Sequence, residues 1–298
     1  MTNDTISGVG VALVTPFTQE FEVDYMGLKK LLDHTSNGAD YWVAHGTTGE
    51  SVTTTKEEKI KILDFIKKNN PKKLPIVVGI GGNYTDEVVK KIKEHDMNGI
   101  NAILSVSPYY NKPAQEGIVE HFIKVAEASP IPVILYNVPG RTSCNMCADT
   151  ILKLAEHPNI IGVKDSSCDF QQLCTIAKYK PQGFKLISGD DMFTLPILAV
   201  GGEGVISVLA NAYPTLFSDL YQHMCNAEVE KARELLFQLL HLNPLMYAEG
   251  SPTGIKQLLA HMNICKNYTR LPMMAASDKL KSQIADKMII LHGKVSVE

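Results

Sequence analysis

The chain has little of what marks a nucleic-acid or membrane-surface protein. Its 298 residues carry 29 lysines and arginines against 32 aspartates and glutamates, a formal net charge of −3, without any basic block. Because phosphate-rich partners are bound through clustered positive charge, neither nucleic acid nor an anionic membrane is an expected partner. Residues 1–5 lack the basic and apolar regions of a signal peptide, and no apolar run is long enough to span a bilayer. The sequence therefore predicts a cytoplasmic protein.

Cysteine is also scarce, with six in the chain. Cys144 and Cys147 form a CxxC pair. A structural zinc site needs a second such pair or a spaced histidine pair, and the sequence has neither. The sequence therefore predicts free, partly buried thiols in a reducing compartment.

What the sequence does contain is a repeated unit, a short apolar run followed by a segment with helix-like spacing. The eight runs cover residues 9–15, 41–45, 76–80, 102–106, 133–136, 160–164, 185–188 and 204–208. Units of this kind predict an α/β fold in the form of a closed (β/α)8 TIM barrel. A doubly wound open sheet is the alternative, but it usually carries a glycine-rich dinucleotide loop after its first strand. This chain has Val14, Thr15, Pro16 and Phe17 there.

The strand pattern stops after residue 208. Helical spacing continues near residues 228–241, 254–261 and 275–291, with prolines at the junctions. The sequence thus predicts two domains, a catalytic barrel over residues 1–227 and a small all-helical C-terminal domain over residues 228–298.

The apolar run at residues 160–163 leads directly into Lys164. Such a run predicts a strand buried on both faces, with Lys164 at its C-terminal end. A lysine is seldom buried without a partner, and burial in general favours the neutral amine, which can attack a carbonyl carbon. Lys164 is therefore a candidate nucleophile. The alternative is a lysine at a strand end that simply reaches into solvent.

The chemistry of a barrel of this type sits in the loops that leave the C-terminal ends of its strands. These loops contain one lysine, one arginine, paired threonines and three tyrosines. They hold no histidine cluster and no cage of carboxylates, so metal-dependent hydrolysis is poorly supported. The candidate site residues are Thr47, Thr48, Tyr109, Tyr110, Tyr136, Arg141 and Lys164.

Each candidate also has a simpler explanation. The hydroxyls of residues 47–48 suit a small carboxylate but also a plain turn, whereas residues 53–55 are typical of a helix cap. Arg141 is either a surface residue or a bidentate carboxylate clamp. Tyr109 and Tyr110 fit interface packing as well as catalysis. Asp190 and Asp191 fit the cap of a short helix as well as a substrate contact.

His45, which lies close to Trp42 in the sequence, is a different case. A histidine in an apolar segment is more typical of a core residue with one nitrogen hydrogen-bonded than of a catalyst. The sequence therefore predicts a structural role for His45.

Seven segments of the chain occur together in a set order. They are Thr15-Pro16-Phe17, Gly46-Thr47-Thr48-Gly49-Glu50-Ser51, Pro108-Tyr109-Tyr110-Asn111-Lys112-Pro113, Tyr136-Asn137-Val138-Pro139-Gly140-Arg141-Thr142, Gly162-Val163-Lys164, Ser188-Gly189-Asp190-Asp191 and Gly204-Val205-Ile206-Ser207-Val208. Together they closely resemble the dihydrodipicolinate synthase family, one of the pyruvate-dependent Schiff-base aldolases, which also include the N-acetylneuraminate lyases. The resemblance covers the predicted barrel and, more loosely, the helical tail. Each segment alone is weakly specific, and the set is highly specific.

Two features favour the synthases over the lyases. The threonines at residues 47–48 match the synthases, where the lyases have Ser-Thr, and Arg141 matches an arginine that the lyases lack. Two features depart from the family. Ser143 stands where the family motif usually has glycine, and the connection at residues 243–256 looks longer than usual.

The resemblance implies an activity. Lys164 would form an iminium with pyruvate, which would condense as an enamine with L-aspartate 4-semialdehyde, the first committed step of lysine and diaminopimelate biosynthesis. Thr47, Tyr110 and Tyr136 would relay protons, with Tyr110 reaching in from a neighbouring subunit. The implied assembly is therefore a homo-oligomer, a dimer at least and by resemblance a tetramer.

The implied substrate-binding residues are Thr48, Arg141, Gly189 and Ile206, with Arg141 gripping the carboxylate of the aldehyde. Because the lysine carries the covalent chemistry, no metal or organic cofactor is implied. Two alternatives stay open. One is another pyruvate-dependent aldolase, acting on N-acetylneuraminate or a keto-deoxy sugar acid, and the other is a catalytically silent protein that keeps the pocket as a ligand sensor.

The resemblance also points to a candidate allosteric site. The residues that match the lysine site of lysine-inhibited members are Ser51, Asn83, Glu87 and Tyr109. Two histidines of that site are replaced here by Lys56 and Lys59. Because two ammonium groups would repel a cationic inhibitor, inhibition by lysine is expected to be weak.

Overall fold

The computed structural model describes the backbone of residues 6–295 and the side chains of residues 6–288. Three of the predictions reach beyond that range. The interpretation of residues 1–5 as carrying no signal peptide, the last residues of the predicted second domain, and the side chains at the end of the last helical stretch lie outside the described residues.

Eight strands form a closed barrel in sequential order, as the sequence predicts. They are β1 (Gly8–Ala12), β2 (Tyr41–Ala44), β3 (Ile76–Gly79), β4 (Ala102–Val106), β5 (Val133–Asn137), β6 (Ile160–Asp165), β7 (Lys185–Ser188) and β8 (Gly204–Ser207). Every predicted run overlaps one strand, and the pairs from β3 to β8 are parallel. The predicted TIM barrel is confirmed.

The first strand ends earlier than predicted, at Ala12 instead of residue 15. The N–H of Val14 donates to the side-chain oxygen of Asn211 at 3.2 Å, and the hydroxyl of Thr15 donates to the carbonyl of Gly49 at 2.7 Å. A side chain from distant sequence thus takes the backbone donor that a longer strand would have used in its ladder.

Helices follow the strands. They are α1 (Tyr25–Thr35), α2 (Lys56–Lys68), α3 (Thr85–Glu94), α4 (Gln115–Ala128), α5 (Pro139–Thr142), α6 (Ala148–Leu154), α7 (Phe170–Tyr179), α8 (Thr194–Ala199) and α9 (Pro214–Cys225). The helix cap predicted at residues 53–55 is confirmed, since Thr55 caps α2 in a reciprocal capping box with Glu58. This local pattern fixes where α2 begins.

Each C-terminal stretch of helical spacing overlaps one helix. They are α10 (Val229–Gln238), α11 (Thr253–His261) and α12 (Asp278–Val295). Between β8 and residue 295 the structure has no further strand. A 3₁₀ turn, Asn243–Met246, lies in the connection that leads to α11. Within the described residues, no helix is long and apolar enough to cross a membrane.

Close contacts divide the chain into two compact units. Among the residues that the structure describes, the first unit comprises residues 6–10, 40–43 and 75–206, and the second comprises residues 11–39, 44–74 and 207–295. Each unit is therefore assembled from segments that are far apart in sequence. The domain boundary predicted between residues 227 and 228 stays a prediction.

The core of the first unit determines which way its strand residues face. Leu135, Val163 and Leu186 belong to one buried cluster with Phe122 of α4, so this side of β5, β6 and β7 packs on helices. Because successive side chains of a strand point to opposite faces, the residues one position further along face away from the helices. In a closed barrel, that direction is the barrel interior.

Candidate active site

Two neighbouring strands of the first unit bring Tyr136 and Lys164 together. The two residues are directly paired in the register of β5 and β6, and Lys164 pairs in turn with Ile187 of β7. The Lys164 Nζ lies 4.2 Å from the centroid of the Tyr136 ring. Paired residues of adjacent strands share a face, so the phenol and the amine project from the same side of the sheet.

Lys164 is buried, with 5% of its surface exposed. Among residues 6–288, none accepts a hydrogen bond from its amine and none forms an ion pair with it. The Lys164 Nζ is not among the fully buried polar atoms without a partner, so the amine keeps an accessible surface although most of its side chain is buried. That arrangement suits a nucleophile that waits for a carbonyl compound.

Gly189 lies against Lys164. A Cβ atom on this glycine would come within 3.0 Å of the Lys164 Cε and 2.0 Å of the Ser166 Oγ. The Gly189 N–H also donates to the carbonyl of Asp165 at 2.7 Å. A larger residue in the loop after β7 would therefore force the Ser166 or Lys164 side chain to move. Ile206 is buried on β8, one residue beyond the pair formed by Ser188 and Val205.

A buried polar network that the sequence does not predict supports the end of β6. The Asp165 carboxylate accepts hydrogen bonds from the amides of Asn137 at 2.9 Å and Gln172 at 3.2 Å, and from the Ser167 N–H at 2.7 Å. The carboxylate is thus held by neutral donors from β5, α7 and the following loop. In the sequence, Asp165 is marked only by its position directly after Lys164, which does not indicate the residues that bind its carboxylate.

Arg141 lies on the short helix α5 and is exposed. Its side chain has no hydrogen bond or ion pair with another residue of the described chain. The helix ends at Ser143, which has a left-handed φ of 56°. Glycine adopts this conformation more readily than serine, which gives a physical reason for the glycine usual at this position of the family motif.

The loop that follows α5 is anchored from the barrel side. The Asn145 side chain accepts from the Asn137 amide at 2.8 Å and donates to the Gln172 side chain at 2.9 Å. The Met146 N–H donates to the Asn137 side chain at 3.0 Å. The segment just after Arg141 is therefore tied to the strand that carries Tyr136.

Thr47 and Thr48 lie in the second unit, on a tight turn. The Gly49 N–H donates to the Gly46 carbonyl and the Glu50 N–H donates to the Thr47 carbonyl, both at 3.1 Å. Thr48 is buried and Thr47 is exposed. The turn predicted at these residues is confirmed, and its role toward a carboxylate stays a prediction.

Tyr110 is the most exposed of the candidate residues, at 89%, and its φ of 75° is left-handed. Tyr109 is also exposed. A large aromatic side chain held outward on such a backbone is typical of a residue that contacts another surface. Neither tyrosine contacts Lys164 or Tyr136 through a bond or ring contact recorded among the described residues.

Three other predictions concern residues outside the reacting centre. His45 is a buried core residue, as predicted, with its Nε2 3.0 Å from the Lys59 carbonyl. The Asp190 carboxylate accepts from the Met192 N–H at 2.9 Å, and the Asp191 carbonyl accepts from the Thr194 hydroxyl at 2.8 Å. Both aspartates thus help close the turn ahead of α8, and a substrate contact stays a prediction.

The candidate allosteric residues are divided between the units. Ser51 and Lys56 belong to the second unit, whereas Asn83, Glu87 and Tyr109 belong to the first. Lys56, Glu87 and Tyr109 are exposed, and Ser51 and Asn83 are half-buried. Their role stays a prediction.

All six cysteines are free thiols, ranging from exposed Cys168 to buried Cys265. Cys144 and Cys147 are half-buried and contact the Pro113 carbonyl and the Thr150 hydroxyl, respectively. Within the range that the structure describes, no group of three or more histidine, cysteine, aspartate or glutamate residues is placed to hold a metal ion.

Comparison with known proteins bears on the whole chain. The model of the dihydrodipicolinate synthetase family matches residues 5–290. The 4-hydroxy-tetrahydrodipicolinate synthase of Cytophaga hutchinsonii is 45% identical over 295 residues, which cover 99% of this chain and 98% of the relative.

Solved structures match equally well. The chloride-inhibited dihydrodipicolinate synthase from Acinetobacter baumannii, complexed with pyruvate, is 34% identical with a TM-score of 0.93, over 97% of this chain and 99% of that one. The DHDPS from Cyanidioschyzon merolae with lysine bound is also 34% identical, with a TM-score of 0.92 and the same coverage. Since sequence, family model and fold agree over almost the full length, this chain belongs to the dihydrodipicolinate synthetase family.

Proposed function

We propose that this chain is a 4-hydroxy-tetrahydrodipicolinate synthase, a carbon–carbon lyase that condenses pyruvate with L-aspartate 4-semialdehyde in lysine and diaminopimelate biosynthesis. The observation that carries the proposal is Lys164, buried at the end of β6 with its Nζ 4.2 Å from the Tyr136 ring centroid. The curated relative that matches 99% of the chain bears the name of this activity, and a solved relative was crystallised with pyruvate.

The chemistry begins with the amine of Lys164. The amine attacks the ketone carbon of pyruvate, water leaves, and an iminium forms. The iminium withdraws electrons, so the methyl group loses a proton and becomes an enamine, whose carbon attacks the aldehyde. The amino group of the second substrate then displaces Lys164 from the imine carbon, which closes the ring and frees the lysine.

Proton transfer is assigned to Tyr136, because a phenol both donates and accepts and its ring lies directly beside the amine. Thr47 and Tyr110 complete the relay by family resemblance. Since the lysine itself carries the covalent intermediate, we expect neither a metal ion nor an organic cofactor to take part.

Two parts of the chain would bind the two substrates, the hydroxyl-bearing turn at Thr47 and Thr48 and the guanidinium of Arg141. The turn at Thr47 and Thr48 would hold the pyruvate carboxylate, with Gly189 and Ile206 shaping the space around the imine. Arg141 would grip the carboxylate of the aldehyde by two parallel hydrogen bonds. Because its guanidinium makes no bond within the described chain, it is available to a ligand.

The second candidate activity is that of another pyruvate-dependent aldolase. A sugar acid would need hydroxyl-binding groups where this chain places Arg141, which favours the carboxylate-bearing aldehyde. The test is the product formed from pyruvate with aspartate semialdehyde, compared with pyruvate and N-acetylmannosamine, in buffer containing a strong chelator. We expect the cyclic product from the first pair alone, and turnover only with the second pair would overturn the proposal.

Assembly is a further part of the proposal. Tyr110, 89% exposed on a left-handed backbone, is the residue that family resemblance assigns to the neighbouring subunit. A two-fold contact would use the same patch on both chains, so the smallest active unit would be a dimer, with a tetramer implied by the family. A fully active monomer in analytical ultracentrifugation would contradict this assignment.

Regulation by lysine concerns the candidate residues Ser51, Lys56, Asn83, Glu87 and Tyr109. The Cyanidioschyzon merolae relative was crystallised with lysine bound. Here Lys56 and Lys59 stand where lysine-inhibited members have histidines. We therefore propose that lysine binds this chain weakly.

A further inference from the structure

The second unit contains a buried charged cluster that the proposed mechanism does not use. We call it the Phe17 cluster, made of Phe17, Glu50, Lys256 and Arg270. Lys256 is completely buried, and its Nζ lies 4.2 Å from the centroid of the Phe17 ring. The ammonium donates hydrogen bonds to the Glu50 carboxylate and, at 2.8 Å, to the Tyr268 carbonyl. Lys256 thus has two hydrogen-bond partners, one of them charged.

The Glu50 carboxylate is also buried, with 3% of the residue exposed. Its second oxygen accepts a hydrogen bond from the backbone N–H of Arg270 at 3.1 Å. The Arg270 guanidinium lies 4.4 Å from the Phe17 centroid and binds the Glu58 carboxylate at 2.5 and 2.7 Å. Each cation of the cluster therefore has its own carboxylate, Lys256 with Glu50 and Arg270 with Glu58.

Glu50 opposes the effect of burial on the Lys256 ammonium. Burial lowers the pKa of Lys256, and the neighbouring Glu50 carboxylate acts in the opposite direction. Cys265 also lies near the ammonium, but burial raises the pKa of its thiol to about 12, so it is neutral at physiological pH. Removing either member of the pair would leave the other buried without its oppositely charged partner.

The backbone of Glu50 belongs to the turn that carries Thr47 and Thr48. Its N–H donates to the Thr47 carbonyl at 3.1 Å, and its carbonyl accepts from the Thr53 N–H at 3.0 Å. Its φ of 52° is left-handed, a conformation that a glutamate seldom adopts without support. The side-chain bonds to Lys256 and Arg270 supply that support from a part of the chain about 200 residues away.

We propose that Lys256 is a positioning residue for the turn at Thr47 and Thr48. Its ammonium holds the Glu50 carboxylate, Glu50 fixes the left-handed end of the turn, and the turn presents its hydroxyls and N–H groups to the carboxylate of the keto acid. Lys256 thereby sets the affinity for pyruvate without touching it. The inference rests on the proposed function, since it takes this turn to be the pyruvate-carboxylate site.

A purely structural role makes a different prediction. A residue that only stabilises the fold changes the melting temperature of the protein but leaves the affinity of the remaining folded molecules intact. A positioning residue shifts KM for pyruvate in folded protein and acts through Glu50. Two residues that act through one contact also have non-additive effects.

The experiment compares Lys256→Met, Glu50→Gln and the double variant with the unaltered chain. In each, KM for pyruvate, kcat and the pyruvate dependence of borohydride trapping on Lys164 are measured well below the melting temperature. We expect each single variant to raise KM for pyruvate about tenfold or more with kcat changed about threefold or less, and the double variant to be no worse than the worse single variant.

Lys180→Met is the matched control. The Lys180 Nζ pairs with Glu203 at 2.5 Å and bonds to the Phe184 carbonyl at 2.8 Å, next to the first residue of β7 and so at the opposite end of the strand from Gly189. This variant should lower the melting temperature and leave KM for pyruvate within about twofold.

The outcomes separate the inference from the proposed function. Failure of the unaltered chain to be trapped on Lys164 would overturn the proposed function and, with it, the inference. Normal trapping with KM unchanged in Lys256→Met, or with fully additive effects in the double variant, would overturn the inference alone. If Lys256→Met does not fold, the nearly isosteric Glu50→Gln takes its place. KM for pyruvate, kcat and trapping on Lys164 are then compared between this variant and the unaltered chain, and an unchanged KM would overturn the inference.

Discussion

The two units of the chain each hold a buried lysine beside an aromatic ring, and the two lysines have opposite surroundings. In both, the Nζ lies 4.2 Å from a ring centroid, of Tyr136 for Lys164 and of Phe17 for Lys256. Lys256 has a carboxylate and a carbonyl as partners, whereas Lys164 has no hydrogen bond or ion pair within the described residues. Burial and ring contact are therefore shared, and the two lysines differ in their partners.

The arginines repeat the contrast. Arg270 binds Glu58, the Phe21 carbonyl and the Thr53 carbonyl, so its donors are largely occupied by the chain itself. Arg141 makes no such bond with any described residue. A cation whose donors are satisfied holds its neighbours in place, and a cation without partners is available to a ligand. Lys164 and Arg141 are therefore open to a ligand, whereas Lys256 and Arg270 are bound to neighbouring groups of the chain.

The largest expected effect is the loss of Lys164. Lys164→Met should reduce turnover by at least about 10³-fold, because the covalent intermediate can no longer form. In the unaltered chain, treatment with pyruvate and borohydride should add one reduced pyruvate, located by mass spectrometry on Lys164 and absent from Lys256. An adduct on Lys256, or on neither lysine, would break the comparison.

The next largest effect is on stability. Here we expect the loss in Lys256→Met and not in Lys164→Met. Lys256→Met should lower the free energy of unfolding by about 3–5 kcal/mol, because it leaves the Glu50 carboxylate buried without its cation. Lys164→Met should leave that free energy unchanged or raise it, because methionine replaces an amine that has no protein partner. Urea unfolding of both variants measures the difference. Equal losses of unfolding free energy in the two variants would show that Lys164 stabilises the fold as much as Lys256 does.

Local and long-range features of this chain differ in how far the sequence predicts them. The strand runs and the capping box of Thr55 and Glu58 are visible because the interacting residues lie within a few positions of each other. Glu50 and Lys256 are 206 residues apart in the sequence, so no local pattern predicts their ion pair. For the same reason, the sequence gives no indication that Asn211 ends β1 early.

The candidate site shows the same limit. Lys164, Tyr136 and Gly189 are identified from strand ends and family motifs, and the structure brings these three together. The network that holds Asp165 was not predicted, because Asn137 and Gln172 have no chemistry that marks them in sequence. Polar support of this kind depends on tertiary neighbours, which periodicity and motifs do not specify.

Arg141 gives a smaller effect than either lysine. Arg141→Ala should lower kcat/KM for aspartate semialdehyde by tens- to hundreds-fold, about 2–4 kcal/mol, since a charged bidentate contact is lost. Imine formation with pyruvate should change by about twofold or less, because Arg141 acts on the second substrate. Arg141→Lys keeps the charge but not the planar guanidinium, so its kcat/KM should lie between those of the unaltered chain and Arg141→Ala. Steady-state kinetics combined with borohydride trapping separates the two steps, and equal losses in both would show that Arg141 is not the carboxylate clamp.

The smallest expected effect concerns inhibition by lysine. Lys56 and Lys59 are three residues apart near the start of α2 and so share a helix face. If that face borders the candidate allosteric residues, each ammonium opposes a cationic ligand by roughly 1 kcal/mol at close range in partly screening solvent. The two together should weaken inhibition about tenfold or more, so we expect little inhibition below millimolar lysine.

The variant carrying both Lys56→His and Lys59→His tests the cause of that weakness. Neutral imidazoles remove both positive charges at pH 8, so the double variant should bind lysine about tenfold more tightly than the unaltered chain. Lys68→His, at the other end of the same helix, is the control and should leave the dose–response curve unchanged. Strong inhibition of the unaltered chain at tens of micromolar lysine would mean that Lys56 and Lys59 face away from the inhibitor.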